Sequence, residues 1–181
     1  RGADTFPENA PPILEKGKGV YTFGTNKQKY LDYGMGLRSV NIGYSEKSIN
    51  KAAIQAIQKG NNLTRPSVIE LKAAELFTSI IRNADMVKFT KNGSTAVTAA
   101  VKLSRAYTGK DIVLRCAQHP FFSYDDWFIG STKVPRGVTS ETKKLTKLFN
   151  YNDIESLKKQ VSKYKDKIAC VVLEPSSTEC P

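Results

Sequence analysis

Histidine occurs once in this 181-residue chain, tryptophan once and methionine twice, and the three cysteines, Cys116, Cys170 and Cys180, form no CxxC pair. With His119 as the sole imidazole, a zinc site built from Cys and His is short of donors, and three thiols make no disulfide framework. Unpaired thiols suit a reducing compartment, so a cytoplasmic setting is the expectation. No apolar run approaches the roughly 20 residues that cross a bilayer, and no signal-peptide pattern is visible. Acidic residues are also scarce, 17 against 28 Lys and Arg, which leaves a net charge of +11. Such a balance invites a polyanion partner. The lysines, however, are spread along the chain, and the densest group (Lys158, Lys159, Lys163, Lys165 and Lys167) fits the solvated face and end of a helix. No aromatic residues interleave with it as base stacking requires, so neither nucleic acid nor membrane is expected as a partner.

A chain of this length holds one domain with a sizeable core, or one domain and part of another. It opens on Arg1 and stops at Cys180-Pro181 directly after an apolar strand-like run, so a piece of a longer protein is expected. Pro7, Pro11 and Pro12 make residues 1–17 an extended arm. β-prone runs at 19–23 and 28–33 flank the turn Gly24-Thr25-Asn26-Lys27, a hairpin signal. A helix is predicted over 45–59, with Ile49, Ala53, Ala56 and Ile57 inward and Gly60 closing it. Ser67 and Glu70 form a capping box ahead of a helix over 68–82 whose Leu71, Ala74, Ile80 and Ile81 recur at helical spacing.

Residues 111–116 read as a short strand. Residues 168–173 read as a second, apolar on both faces and therefore covered by helices on both sides. A loop over 131–142 and a helix from Asp153 to about Tyr164, with Ile154, Leu157 and Val161 inward, lie between them. Helices alternating with buried strands predict an α/β sheet, whose ligands sit beyond the carboxyl ends of the strands. Glu174-Pro175 falls at such an end.

The stretch that organises the chain is Lys88-Phe89-Thr90-Lys91-Asn92-Gly93-Ser94-Thr95-Ala96, followed by a helical run over 97–107 with Ala96, Ala100, Leu103 and Tyr107 on one face. A turn feeding a helix N-terminus offers backbone N–H groups and the positive end of the helix dipole, so it can cradle a phosphate. Gly93 lets an anion come close, and Ser94 and Thr95 add hydroxyls. The same residues also make an ordinary capped turn. The spacing is neither a Walker loop nor a dinucleotide fingerprint.

Asn92 to Ala96, followed by Ala100-Val101-Lys102-Leu103-Ser104-Arg105-Ala106-Tyr107-Thr108-Gly109-Lys110, resembles the phosphate loop and following helix of class III (fold type I) pyridoxal-phosphate aminotransferases. The likeness is nearest to glutamate-1-semialdehyde aminomutase and its relatives. Lys29-Tyr30-Leu31-Asp32-Tyr33 ahead of Gly43 is similar to that family's N-terminal hairpin, residues 117–132 to its aromatic segment, and Val171-Val172-Leu173-Glu174-Pro175 to its Glu-Pro strand end.

The resemblance implies the N-terminal part of a fold type I transferase, an incomplete α/β structure. An arm and small-domain segment would occupy 1–65, and the start of the large cofactor-binding domain 66–181. It implies pyridoxal 5'-phosphate as cofactor, a small-molecule amino or keto substrate, amino-group transfer through a Schiff base, and a homodimer. Carried over by position, Asn92, Gly93, Ser94 and Thr95 meet the cofactor phosphate. Phe121 stacks on the pyridine ring where the family has Tyr in a Tyr-His-Gly triplet. Here the triplet is Phe121-Phe122-Ser123, which keeps an aromatic face and loses the phenol and the histidine. Phe122 reads as core, and His119 as a structural, hydrogen-bonding residue.

Glu174 has two readings, a cofactor-site residue or a cap of the next segment. Glu179 falls where some relatives keep a glutamate near the substrate. Arg38 stands where the aminomutase relatives show tryptophan and glycine near the substrate. It either pairs with a substrate carboxylate or is a solvent-facing loop arginine. The family's Schiff-base lysine and its pyridine-nitrogen aspartate follow the Glu-Pro strand, beyond Pro181, so no catalytic residue is assigned and residues 1–181 alone are expected to be inactive. The departures at Arg38 and Phe121-Phe122 lean toward a relative acting on another amino or keto substrate. Two other readings of the residues remain: a non-catalytic basic binding module, and a phosphate-ligand domain without pyridoxal chemistry.

Overall fold

A computed structural model describes residues 13–61, 63–119 and 121–176 and divides the chain into two units, 1–73 and 74–181. The predicted arm at Pro7, Pro11 and Pro12, and Glu179, lie outside the described residues.

The first unit holds a three-stranded antiparallel sheet in the order β1-β2-β3, made of β1 (Leu14–Lys18), β2 (Tyr21–Gly24) and β3 (Lys29–Leu31). The predicted hairpin is β2 and β3, joined through Lys27 at φ 64. β1 adds a strand where an arm was expected. Next comes α1 (Met35–Arg38), a single turn whose residues have φ of 44, 55, 58 and 70. Left-handed backbone costs ~1–2 kcal/mol per non-glycine residue, so this turn must be held from outside. Asp32 holds it by accepting from the amides of Gly34 and Met35 at 2.8 and 3.1 Å and from the Tyr44 hydroxyl at 2.5 Å. Those bonds hold the Asp32 carboxyl below the usual carboxylate range, the Tyr44 hydroxyl contributing most.

α2 (Lys47–Gln58) is capped by the Glu46 carboxylate on the Ile49 amide. α3 (Val68–Ile80) has the predicted capping box, with Ser67 N donating to Glu70 at 2.8 Å and Glu70 N to Ser67 Oγ at 3.3 Å. Both helices form as read, but their apolar faces are not inward. Ile49, Ile57, Leu71, Ile80 and Ile81 are all exposed. The periodicity identified the stripe, and nothing among the described residues covers it.

The second unit is built on a parallel sheet of order β5-β4-β6, with β4 (Ile112–Cys116), β5 (Thr146–Phe149) and β6 (Ile168–Val172). β4 is buried along its whole length, whereas β6 is a half-buried edge, so the strand expected to be covered on both faces is not the covered one. Sequence reading missed β5. Thr146-Lys147-Leu148-Phe149 is short and follows Lys143 and Lys144, so it lacks the apolar density of its neighbours.

One sheet face packs Val113 against Val101 of α4 (Gly93–Thr108) and against Trp127 and Phe128 of α5 (Asp126–Ile129). The other face packs Ile112, Leu114, Cys116 and Phe149 under Leu157 and Tyr164 of α7 (Ile154–Tyr164). A short α6 (Ser140–Lys143) overlaps the end of the loop predicted over 131–142. Ile154 and Val161, expected inward, are exposed, and Leu157 alone of that trio packs on the core.

The packed face of α4 also differs from the expected one. Leu103 is 70% and Tyr107 91% exposed, while Thr98 and Val101 are buried and Val97 packs beside them. Alanines widen the apolar arc of this helix well beyond one stripe, so periodicity alone could not choose the part that meets the sheet.

Candidate functional site

α4 starts at Gly93, four residues ahead of the helical run predicted over 97–107, so Gly93 to Ala96 form its first turn. Asn92 is the N-cap, its side-chain oxygen accepting from the Thr95 amide and the Thr95 hydroxyl, both at 2.9 Å. The Ala96 amide bonds the Asn92 carbonyl at 3.0 Å. The amides of Gly93 and Ser94 therefore remain without a hydrogen bond among the described residues. No acidic residue occupies the first turn, so the chain itself does not neutralise the positive end of the dipole. A Cβ built on Gly93 would meet nothing within 4 Å, which means open space beside two unspent donors. With the Thr95 hydroxyl hydrogen committed to Asn92, the Ser94 hydroxyl is the remaining side-chain donor of the pair.

A buried hydroxyl chain ties this turn to the aromatic segment. The Trp127 indole N–H donates to Thr98 Oγ1 at 3.0 Å, Thr98 and Ser123 hydroxyls lie 2.9 Å apart, and the Asp125 amide donates to Ser123 Oγ at 3.0 Å. Ser123 Oγ lies 3.4 Å from the Ser94 carbonyl. One assignment of hydrogens satisfies every group: indole to Thr98, Thr98 to Ser123, Ser123 to Ser94. Ser123 is fully buried, so its hydroxyl is a strut between α4 and the segment carrying Phe121. Thr98 and Trp127 were not singled out from sequence. The signal was the lone tryptophan, whose buried N–H demands an acceptor.

Phe121 is 62% exposed and meets Phe128 edge-on at 5.7 Å, leaving most of its surface open. Phe122 packs on the Val101, Val113, Trp127 and Phe128 cluster, as read from sequence. His119 is buried, and its Nδ1 accepts the Glu174 amide at 3.1 Å. The structure thus joins residues on β4's exit to the end of β6. The Glu174 carboxylate makes no hydrogen bond or ion pair among the described residues. Arg115 is buried among neutral partners: Nε to Ser131 Oγ at 2.6 Å, Nη1 to the Cys116 carbonyl and Nη2 to the Ser131 carbonyl at 2.8 Å each, with Phe128 beneath it. Burial lowers its pKa, yet a guanidinium stays charged, so this end of the sheet carries a cation with no carboxylate partner. Arg38 belongs to the first unit, on the exposed left-handed turn. No cluster of His, Cys, Asp and Glu able to hold a metal occurs among the described residues, and none of their helices is long and apolar enough to cross a membrane.

A parallel sheet flanked by helices, with the start of α4 at its carboxyl side, defines an α/β architecture. The model of the class-III aminotransferases matches residues 5–180, so the chain belongs to that family. An omega-transaminase from Sphaerobacter thermophilus superposes with a TM-score of 0.87 at 22% identity, over 97% of this chain and 43% of its own. The FumI protein of a Sphingopyxis species, solved in its PLP internal aldimine form, gives 0.85 at 29% identity, over 95% of this chain and 41% of its own. A glutamate-1-semialdehyde aminomutase from Pseudomonas aeruginosa gives 0.77 at 19% identity, over 96% and 39%. The chain therefore spans about two fifths of the length of these proteins and corresponds to the N-terminal part of their fold.

Proposed function

We propose that this chain carries the phosphate-binding and ring-stacking part of a pyridoxal 5'-phosphate-dependent transaminase or aminomutase acting on a small amino or keto substrate. The observation that supports it is the start of α4: two unspent amides, an open Gly93 and a free Ser94 hydroxyl, strutted through Ser123 to the exposed Phe121. These residues fit the cofactor's anionic end and its flat ring. Asn92 orients the turn by capping it, Gly93 and Ser94 donate to phosphate oxygens, and Phe121 offers an aromatic face. Glu174 lines the edge of the same end of the sheet.

Pyridoxal phosphate, when bound, supplies an electron sink for moving an amino group. This chain's residues bind and orient it, and the covalent lysine and the ring-nitrogen aspartate are assigned to the rest of the whole protein. Residues 1–181 alone are accordingly inactive in our reading, with an arm and small-domain segment over 1–65. The whole protein is a cytoplasmic homodimer, by the family's habit. Arg38, on its strained turn, is proposed to pair with a substrate carboxylate.

The test compares the whole protein with residues 1–181 for a bound, borohydride-reducible chromophore. The reading expects it in the whole protein alone. Its absence from both would return Asn92 to Thr95 to a capped turn.

A further inference from the structure

Neither Gln118 nor His119 belongs to the proposed cofactor-binding set, yet this adjacent pair, just past β4, reaches the exits of both neighbouring strands. Gln118 turns toward β5: its Oε1 accepts the Tyr151 amide at 2.9 Å and its Nε2 donates to Asn150 Oδ1 at 3.3 Å. His119 turns toward β6, where its Nδ1 accepts the Glu174 amide. We propose that Gln118-His119 is a clamp that sets the spacing of the three strand ends, and that its His119 arm is a positioning residue working only as the neutral Nε2–H tautomer.

The tautomer follows from the hydrogen bond. An Nδ1 that accepts an amide cannot carry a proton, so the hydrogen sits on Nε2. Nε2 is buried and has no hydrogen-bond partner among the described residues. Around it the ring stands edge-to-face with Phe122 and with Tyr151, at 5.6 Å each. Aromatic faces tolerate an N–H and solvate a full imidazolium poorly.

The charges facing the ring act in opposite directions. Burial, the largest cause, lowers its pKa from 6.5; Glu174 at the end of β6 raises it, and Arg115 on β4 lowers it. Tyr151, past β5, contributes an aromatic ring. A lowered folded-state pKa means that the unfolded chain takes up protons first, so the stability this histidine contributes is present above about pH 6.5 and is lost as pH falls through the folded value. Protonation at Nδ1 replaces the acceptor by a donor facing the Glu174 N–H, and the β6 arm of the clamp opens.

That the clamped ends frame a cofactor site rests on the function proposed above; the clamp itself does not. Its test is therefore residue-resolved hydrogen exchange of the Glu174 amide in the whole protein stripped of cofactor, after division by the intrinsic rate. At pH 7.5, His119→Phe removes the acceptor, and protection at Glu174 falls about tenfold. His119→Asn places Oδ1 where Nδ1 stands and keeps the protection. As pH falls from 7.5 through the folded pKa of His119, which lies below 6.5, the natural protein loses protection at Glu174, whereas the Asn variant, with nothing to titrate, does not. Equal protection in all forms, or an Asn variant as open as the Phe variant, overturns the clamp. If the Phe variant fails to fold, the pH comparison of the Asn variant with the natural protein decides. A protein that passes these tests but binds no pyridoxal phosphate keeps the clamp and loses the proposed function.

Discussion

The two units put their apolar residues to different ends. In the second, β4 is buried along its length and sealed by α4 and α5 on one face and α7 on the other, so its sequence is spent on packing. In the first, α2 and the first turns of α3 carry good helical stripes and caps, yet Leu71, at 57% exposed, is typical of their faces. A well-formed helix is thus separable from a buried one. Capping and periodicity are local, while burial needs a partner surface that the same residues do not provide.

The sharpest way to break this contrast is a matched pair of truncations. Leu114→Ala, at a fully buried β4 position, should destabilise by about 2–5 kcal/mol in urea unfolding, and Leu71→Ala by under about 0.5 kcal/mol in this chain. Equal losses would mean that α3 is buried in solution and the contrast false. Next in size, Arg38→Ala in the whole protein should raise KM for a carboxylate-bearing substrate about tenfold or more, the worth of a charge-assisted hydrogen bond, with the unfolding midpoint unchanged. An unchanged KM would make Arg38 a loop arginine. Smallest is the cap: Asn92→Ala should cost about 1 kcal/mol, because the Thr95 amide and hydroxyl lose their shared acceptor. No measurable loss would show that the α4 start is not fixed by its cap.

What could be read from sequence was what short segments settle by themselves. The capping box at Ser67 and Glu70, the Asn92 cap, the hairpin turn around Lys27 and the strands at Val113 and Val171 depend on residues within a few positions of one another. The family resemblance supplied the site and its order along the chain. Choices made by distant partners were not legible. Leu103 and Tyr107 look as inward as Val101 until β4 is laid beneath α4, and β6 looks as central as β4 until β5 takes the other side. Within the candidate site the individual residues could be named, but not the struts: Thr98 meets Ser123 across 25 positions and Glu174 meets His119 across 55. The left-handed turn at Met35–Arg38 had no signal beyond Gly36, since three of its four residues ordinarily avoid that backbone.

The start of α4 is proposed to hold an anion and to be more than a capped turn. Gly93→Glu in the whole protein tests it most directly. A carboxylate in the first turn suits the helix dipole, so the unfolding midpoint should hold or rise slightly. The same carboxylate would fill the open space at Gly93 and repel a phosphate, so titration with pyridoxal phosphate should show affinity down by about tenfold or more, while phosphate-free pyridoxal is little affected. Unaltered affinity for pyridoxal phosphate in a variant that folds normally would contradict the account.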